Sequence, residues 1–528
     1  MRLFFNGRIY TQDPANPTAS ALVIRDDRII FCGPDQEALR FFPDVEEKID
    51  LEGKAVLPGL CDSHIHLEYY ALSLQRVNCE TDTLAECLSR VAHKAQKAET
   101  GAWILGHGWN QNLWGGQYGT AAQLDDISQG HPVYLTAKSY HAAWVNSKVL
   151  ELAAINKNTP DPEGGKLSRD EKGNPTGILY ESAVNLVKDI LPPPSVESSR
   201  QAILHAQSVL WQMGITGAHD FDGVTSFAAL QELDIHHQLR LRVTKSIPME
   251  KLDAAVEIGL RSGFGSHFLK VGSVKCFADG ALGPQTAAML EPYEQSSDAD
   301  RGILSLDSEQ LLEVGQKATQ NGLCVAVHAI GDRANHEVIS AYKMLRQYEE
   351  TNRLPSLRHR VEHVQLLQPE DLQVLAKNRL IASVQPIHAT SDIDIANRYW
   401  GDRSRFAYAY GSLVNQHIPV CFGSDAPVES PNPFWGLHAA VTRRRHNGYP
   451  GDQGWYAEQR LTLAQAIKGY TTGAAFAAGQ ESCLGQLTSG YFADLIILES
   501  DPFDLSIQEL WKLKPSATMV AGEWVWTG

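Results

Sequence analysis

Long apolar runs, closely spaced cysteines and an excess of basic charge are all missing from this chain of 528 residues. No stretch approaches the ~20 apolar residues that a bilayer-spanning helix needs, and the N-terminus lacks a signal-peptide pattern. The eight cysteines show no Cys-x-x-Cys spacing, and several lie inside apolar runs, where cysteine behaves as a small buried hydrophobe. These absences argue against a membrane anchor and a disulfide framework, and we expect a reducing, cytoplasmic environment.

The charge balance is acidic, with 62 acidic against 46 basic side chains and a formal net charge of -16. Such a surface repels nucleic acid and anionic membranes, so we expect neither as a partner. A small-molecule substrate is the better expectation. The length predicts one large catalytic domain with an accessory domain. A homodimer is compatible with the sequence, which does not decide the oligomeric state.

Both ends of the chain have the texture of short β-strands. Residues 3–10 and 21–31 are rich in β-branched and aromatic residues, and the same texture returns at 490–498 and 517–526. The economical interpretation is that residues 1–55 and 480–528 pair into one small composite β-sandwich.

Between the two ends, over residues 56–479, short apolar strands alternate with helical patterns. This alternation predicts a (β/α)8 TIM-like barrel of the α/β class, with a doubly wound open sheet as the alternative. A segment at about residues 67–200 is too long for one connection and predicts an insertion over the barrel mouth. The eight predicted strands are 55–63, 214–219, 240–246, 269–277, 323–328, 358–364, 380–386 and 418–424.

The segment 56–66, Val-Leu-Pro-Gly-Leu-Cys-Asp-Ser-His-Ile-His, places two histidines at the end of the first predicted strand. Side chains of a strand alternate between its faces, so His64 and His66 point the same way. Two imidazoles on one face form half of a metal site, although an isolated His-x-His is as often a polar strand edge.

Polar residues recur at the carboxyl ends of the later strands, which meet at the mouth of a barrel. Several imidazoles, an amine and a carboxylate at one mouth are difficult to assign to packing and predict a metal centre. These residues are Lys275 on the fourth strand, His328 on the fifth, His363 on the sixth and Asp425 after the eighth.

This pattern resembles the metal-dependent amidohydrolase superfamily, and the resemblance spans nearly the whole chain. Finer segments are similar to the branch that contains YtcJ-like proteins and N-substituted formamide deformylases (amidohydrolase family 3). These segments are Gly-His-Gly-Trp-Asn at 106–110, His-Ala-Ala-Trp-Val-Asn-Ser at 141–147, Val-Lys-Cys-Phe-Ala-Asp-Gly-Ala-Leu-Gly at 274–283, His-Arg-Val-Glu-His-Val at 359–364 and Ser-Val-Gln-Pro at 383–386.

The resemblance implies two divalent ions, zinc being the first expectation and other divalent metals remaining open. His64, His66 and Asp425 would hold one ion, and His328 and His363 the other. A protonated lysine is a poor ligand, so the resemblance further implies that Lys275 is carboxylated on its amine by carbon dioxide. An unmodified Lys275, engaged in a strand-end salt bridge, would instead favour a single ion.

The implied reaction is hydrolysis of the C–N bond of a small amide, which an N-substituted formamide would exemplify. A metal-activated hydroxide would attack the carbonyl carbon. Asp425 would act as general base and then general acid, passing the proton to the departing nitrogen.

Candidates for substrate contacts are less strongly indicated. His141 could hydrogen-bond a developing oxyanion and is a catalytic as well as a substrate-binding candidate. Trp109 could line an apolar pocket or belong to a core. Asp279 could bind substrate or cap the next helix, and His388 could reach the mouth. His107 and Glu362 fit structural and functional roles equally well.

Other functions remain open at this stage. A lactonase or esterase would use the same two-metal barrel. A deaminase of the adenosine type would want a His-x-x-Glu relay and no lysine on the fourth strand, whereas this chain has His328-Ala-Ile-Gly and Lys275. A non-enzymatic scaffold should have lost ligands, and here the full set is present.

Overall fold

The computed structural model describes residues 1–111, 113–138, 142–162, 164–188, 190–294 and 300–528. The chain divides into two compact units, one formed by residues 1–71 and 196–528 and the other by residues 72–195. Within the described residues, the strands form four sheets. No helix among these residues is both long and apolar enough to cross a bilayer.

The larger unit contains a sheet of eight parallel strands that follow one another in chain order. The first strand meets the segment after the eighth through a bridge between Ile65 and Ala426, so the sheet is nearly closed. This architecture confirms the predicted TIM-like barrel. The strands are Leu60–Ile65, Ile215–Asp220, Arg242–Pro248, Leu269–Phe277, Val325–Ala329, Arg360–His363, Ile381–Val384 and Val420–Phe422.

The single strand predicted over 55–63 is wrong, because the chain bends at Pro58-Gly59. Ala55–Pro58 pairs with a terminal sheet, and Leu60–Ile65 begins the barrel. A Cβ at Gly59 would lie 2.2 Å from the Thr216 hydroxyl oxygen, so only glycine allows this close approach. The bend joins the two sheets directly ahead of His64 and His66.

Strands from both termini form one mixed sheet of six strands, and four N-terminal strands form a second sheet. Apolar side chains between them, among them Phe4, Leu22 and Met519, make a separate core cluster. The six-stranded sheet comprises Arg8–Tyr10, Thr18–Ala19, Ala55–Pro58, Leu495–Leu498, Pro515–Val520 and Glu523–Thr527. The four-stranded sheet comprises Arg2–Phe5, Ala21–Arg25, Arg28–Gly33 and Glu47–Asp50.

Helices follow most barrel strands, and local sequence sets their ends. Asp307 caps the helix Ser308–Gln320 with a reciprocal bond to Gln310, and Gly214, at φ +80°, follows the end of Val196–Gln212. The other α-helices of this unit are Asp35–Phe41, Leu67–Ser73 (whose last two residues lie beyond it), Val224–Ile235, Leu252–Glu257, Asp332–Thr351, Pro369–Lys377, Pro386–Ser391, Ile393–Trp400, Tyr410–Asn415, Pro433–Thr442, Leu463–Tyr470 and Thr472–Ala477.

The smaller unit is built on a six-stranded mixed sheet with its own apolar core. Thr83 caps its longest helix by accepting a hydrogen bond from the Glu86 amide. Its strands are Val77–Asn78, Ile104–Trp109, Val133–Ala137, Ala142–Val145, Gly165–Arg169 and Pro175–Glu181. Its α-helices are Leu84–Lys97, Ala121–Asp125, Ser147–Leu152 and Asn185–Lys188.

Candidate metal centre

The barrel strands deliver their polar side chains to one end, as parallel strands of a closed sheet must. Backbone bonds join the first strand to the segment after the eighth: the Asp425 amide donates to the His64 carbonyl at 2.7 Å. His363 and Asp425 have left-handed backbones, with φ of +70° and +61°. Non-glycine residues in this region carry a conformational cost that clusters at functional sites.

Carboxylates hold the two histidines of the first strand. The His64 Nδ1 lies 2.6 Å from the Glu362 Oε2, and the His66 Nδ1 lies 2.9 Å from the Asp222 Oδ1. Each carboxylate accepts the Nδ1 proton, which leaves the lone pair on Nε2. These two carboxylates therefore set both the orientation and the tautomer of the two rings.

Neutral oxygens hold the histidines of the fifth and sixth strands. The His363 Nδ1 donates to the Gln385 Oε1 at 2.9 Å, which leaves the lone pair on its Nε2. The His328 Nε2 donates to the Gly280 carbonyl at 2.8 Å, so its lone pair lies on Nδ1. The rings of His328 and His363 are 4.5 Å apart, and those of His64 and His363 are 4.8 Å apart.

The free nitrogens of the first strand converge on Asp425. The Nε2 atoms of His64 and His66 each lie 3.5 Å from the Asp425 Oδ1. Ligands about 2.0–2.1 Å from a tetrahedral zinc ion are separated from one another by about 3.3 Å, so these three side chains fit such an ion with little movement.

A second group of metal-competent atoms comes from His363, His388 and Asp425. The His388 ring lies parallel to that of His363 with centroids 6.1 Å apart, and its buried Nε2 has no hydrogen-bond partner among the described residues. An unpaired buried nitrogen is costly unless something binds it. The arrangement therefore fits a cation or a substrate oxygen at this position.

Lys275 lies at the same end of the barrel, with its amine between the rings of Phe221 and Phe277. The Nζ is 4.6 Å and 4.8 Å from the two ring centroids, and it has no hydrogen-bond partner within the described chain. A buried ammonium without a carboxylate partner is unfavourable. This surrounding suits an amine that becomes neutral or modified.

The comparisons with known proteins agree with this geometry. The chain matches the amidohydrolase family over residues 47–526. It belongs to that family. Its relatives include Protein LONG AFTER FAR-RED 3 of Arabidopsis thaliana, 33% identical over 95% of this chain and 88% of that protein, and YtcJ of Bacillus subtilis, 31% identical over 99% of both.

Two further similarities concern chemistry and structure. The N-substituted formamide deformylase of Arthrobacter pascens is 24% identical over 98% of this chain and 97% of that enzyme. The structure of an uncharacterized metal-dependent hydrolase of Pyrococcus furiosus superposes on this one with a TM-score of 0.79 at 30% identity. The match covers 95% of this chain and 100% of that one. The amidohydrolase resemblance inferred from the strand-end residues is thereby confirmed.

Burial sets the protonation of the centre in this amidohydrolase. It lowers the pKa of His328 to about 3 and that of Lys275 to about 8, and holds the pKa values of His64 and His363 well below the usual range. Neutral imidazoles are the form that binds metal ions. At His66, burial lowers the pKa, but the hydrogen bond to Asp222 and the negative charges of Asp222 and Asp425 together outweigh it and raise the pKa.

Two of the predicted substrate residues have other surroundings. The buried Asp279 carboxylate accepts backbone N–H bonds from Ala288, Ile330 and Gly331 at 2.8–3.0 Å, whereas Asp307 caps the next helix. Trp109 is 1% exposed in the core of the smaller unit and donates to the Leu135 carbonyl. A substrate contact at either residue stays a prediction.

The other candidates divide between the two units. His141 lies outside the described residues, so its two proposed roles stay predictions. His107 donates or accepts a bond with the Thr136 hydroxyl at 2.8 Å inside the smaller unit. Glu362 has an indirect role in the site, because its carboxylate accepts the His64 Nδ1 proton and fixes that ring.

Sequence reasoning missed Asp222 and Gln385, which hold His66 and His363. Asp222 follows the second barrel strand, so the strand-end rule that found the other residues also reaches it. Gln385 belongs to the Ser-Val-Gln-Pro segment, but nothing in one sequence shows that its oxygen faces His363. Only the barrel, which brings neighbouring strand ends together, shows which histidine each of the two residues holds.

Proposed function

We propose that this amidohydrolase uses one or two divalent ions, zinc first, to hydrolyse the C–N bond of a small amide such as an N-substituted formamide. Cleavage of such a bond belongs to the hydrolases that act on C–N bonds other than peptide bonds. The observation that carries the proposal is the set of four histidines at one barrel end, two of them buried and two partly buried, each fixed through one nitrogen so that the other is free to bind.

The residues present fit a divalent cation. Nitrogen and carboxylate oxygen are preferred zinc ligands, and the Nε2 atoms of His64 and His66 each lie 3.5 Å from the Asp425 Oδ1, close to the separation of tetrahedral ligands. When bound, zinc lowers the pKa of water to near neutrality and polarises carbonyl groups. His328 and His363 would hold the second ion.

Lys275 would complete the centre after carboxylation of its amine. Burial keeps the pKa of Lys275 at about 8, so a sizeable fraction of the amine is neutral and nucleophilic near pH 7.5. Addition of the amine to carbon dioxide forms an N–C bond and releases one proton, giving a carbamate with two oxygen ligands. The absence of a hydrogen-bond partner for Nζ among the described residues leaves room for this group.

Asp425 is suited to move the proton. Burial raises the pKa of its carboxyl above the usual range, closer to the pH at which proton exchange in both directions is efficient. In hydrolysis, the carboxylate would accept a proton from the attacking water and return it to the amide nitrogen as the C–N bond breaks. His388, 9% exposed beside His363, is placed to donate a hydrogen bond to a substrate oxygen.

The substrate class is taken from the deformylase relative, and a comparative assay tests it. Zinc-loaded protein would be offered N-substituted formamides, longer N-acyl amines and lactones of matched size, with release of formate, amine or hydroxy acid measured. We expect formate release that disappears in Asp425→Asn and persists in Asp371→Asn, a variant of a carboxylate that pairs with His336. Rapid lactone hydrolysis without amide hydrolysis would instead support a lactonase.

Two expectations from the sequence remain part of the proposal. The partner is a small molecule, with no nucleic acid or membrane surface involved, because the net charge is -16. A cytoplasmic location is supported by the eight cysteines, all of which are free thiols.

A further inference from the structure

We infer that the metal centre is asymmetric: the position formed by His64, His66 and Asp425 binds a divalent cation more tightly than the position beside His328 and His363. This inference rests on the proposed function, since it takes the centre to be a metal site. It concerns the order in which the two positions take up metal.

The groups that hold the imidazoles differ in charge between the two positions. His64 and His66 donate to the carboxylates of Glu362 and Asp222, at 2.6 Å and 2.9 Å. His363 and His328 donate to neutral amide-type oxygens of the Gln385 side chain and the Gly280 backbone. The Asp279 carboxylate lies 3.7 Å from the His328 Nε2, beyond hydrogen-bond distance. A carboxylate acceptor raises the basicity of the opposite ring nitrogen more than a neutral oxygen does, so the first pair makes the stronger ligands.

The first pair of acceptors is also the more rigidly held. Arg360 donates to both oxygens of Glu362, at 2.7 Å and 3.1 Å, and the same guanidinium donates to the Ser63 carbonyl at 2.8 Å. Asp222 accepts backbone N–H bonds from Glu68 and Tyr69 at 2.6 Å and 3.2 Å. Rings anchored to fixed acceptors lose less freedom when they bind a cation.

Gln385 is less fully engaged. Its Oε1 accepts from His363, but its buried Nε2 has no hydrogen-bond partner among the described residues. Only one contact of this side chain therefore fixes the His363 ring. The single neutral contact gives a weaker orienting force than the charged, multiply bonded carboxylate of Glu362.

The ligand atoms of the tighter position are already assembled. The Nε2 atoms of His64 and His66 each lie 3.5 Å from the same oxygen of Asp425, close to the edge of a zinc tetrahedron. His328, by contrast, does not join the group of His363, His388 and Asp425, whose ligand atoms lie within 4.8 Å of one another. The second position therefore needs more rearrangement before it can close around an ion.

Loss of one outer partner of a metal-bound histidine commonly lowers metal affinity by 10- to 100-fold. With two carboxylates on one side and two neutral oxygens on the other, we expect the dissociation constants of the two positions to differ by about ten-fold or more. At limiting metal, the singly loaded protein would then be the main species.

Equilibrium titration of chelator-treated, full-length protein with Zn²⁺ or Co²⁺ tests this inference without any substrate. Calorimetry and the Co²⁺ absorption spectrum would be followed in parallel. We expect two resolved steps in the wild type, the first at least about ten-fold tighter. Two equal steps would overturn the inference but not the proposed function, whereas no binding at all would overturn both.

Paired variants assign the steps to the two positions. Asp222→Asn should raise the dissociation constant of the first step about ten-fold or more. Gln385→Glu supplies a charged acceptor, so it should lower the dissociation constant of the second step and bring the two constants closer together. Asp371→Asn is the matched control, because Asp371 accepts from the His336 Nδ1 at 3.0 Å outside the centre. It should leave both steps unchanged.

The outcomes remain distinct if Asp222→Asn fails to fold, because Gln385→Glu tests the same asymmetry from the other side. A second step that Gln385→Glu leaves unchanged or weakens would contradict the inference. If the wild type binds one ion only, weakening by Asp222→Asn supports the tighter position at His64 and His66. A single step that Asp222→Asn leaves unchanged would contradict it.

Discussion

The two ends of the barrel use charged and polar side chains in opposite ways. At the carboxyl end, His388 and Lys275 each have a buried nitrogen without a hydrogen-bond partner among the described residues. At the amino end, Arg242 donates through both Nε and Nη2 to Asp494 and through Nη1 to the His267 carbonyl. Within the described part of the chain, His388 and Lys275 thus keep an unpaired nitrogen, whereas all three donor groups of the Arg242 guanidinium have acceptors.

The surroundings of Arg242 explain why its end of the barrel is structural. The guanidinium stacks 3.9 Å from the Phe492 ring centroid, and Asp494 also accepts the Ala521 amide at 2.8 Å. The pair thus ties the third barrel strand to the terminal sheet. In TIM barrels, the amino end serves stability while the carboxyl end serves chemistry, and the contrast here follows that division.

The largest effect should come from Asp425→Ala at the carboxyl end. We expect kcat/KM to fall about 10³-fold or more, because the variant removes both a proton carrier and a ligand shared by the two groups. Thermal unfolding of the metal-free proteins should barely differ. A variant that kept more than a tenth of the activity would contradict the role of this carboxylate.

Arg242→Met should give the reverse pattern at the amino end. Removal of the guanidinium leaves the Asp494 carboxylate buried without its cation, which typically costs about 3–5 kcal/mol of unfolding free energy. We expect urea denaturation to show this loss while kcat/KM of the folded fraction is unchanged. A large fall in kcat/KM at unchanged stability would show that the two ends are not separable.

Removal of bound metal should lower activity and stability through the carboxyl end of the barrel alone. Dialysis against a chelator should abolish activity. Zn²⁺ at about 100 times the dissociation constant of the tighter position should restore activity and, through that position, add about 2.7 kcal/mol of stability. The Arg242→Met variant should gain the same increment, because its defect is at the other end. A smaller increment in that variant would indicate coupling between the ends.

Asp279→Asn tests a buried carboxylate that braces the carboxyl end without an unpaired atom. One of its oxygens accepts the Ala288 and Gly331 amides, and the other accepts the Ile330 amide. Substitution turns one acceptor into a donor, so we expect a loss of about 2 kcal/mol in denaturant unfolding. Substrate KM should stay within about two-fold, and a large selective rise in KM would restore the substrate-binding role.

The smallest effect concerns the carboxylation of Lys275. Burial lowers the pKa of the amine to about 8, so its neutral fraction rises with pH through that value. At fixed dissolved carbon dioxide, recovery of activity by metal-free protein should therefore be about 25-fold faster at pH 8.5 than at pH 6.5. Mass spectrometry of the intact protein would follow the added carboxyl group. Recovery independent of carbon dioxide would favour an unmodified lysine.

The comparison of the two ends also shows where sequence reasoning succeeds. The strand-end rule identified His64, His66, Lys275, His328, His363 and Asp425, and the structure brings all six to one end of a barrel whose existence the alternating pattern predicted. Their function as metal ligands stays a prediction. The strand pattern did not predict the bend at Gly59, because a continuous apolar run does not show which sheet each of its halves will join.

Local sequence by itself determined the elements: alternation gave the barrel strands, Asp307 and Thr83 gave helix starts, and His-x-His gave two imidazoles on one face. Only the tertiary structure decided which nitrogen of each ring is free, because the acceptors Asp222, Glu362 and Gln385 come from three different strand ends. The sequence determines the type of each residue. Closure of the barrel determines which acceptor lies beside each histidine ring and therefore fixes its tautomer.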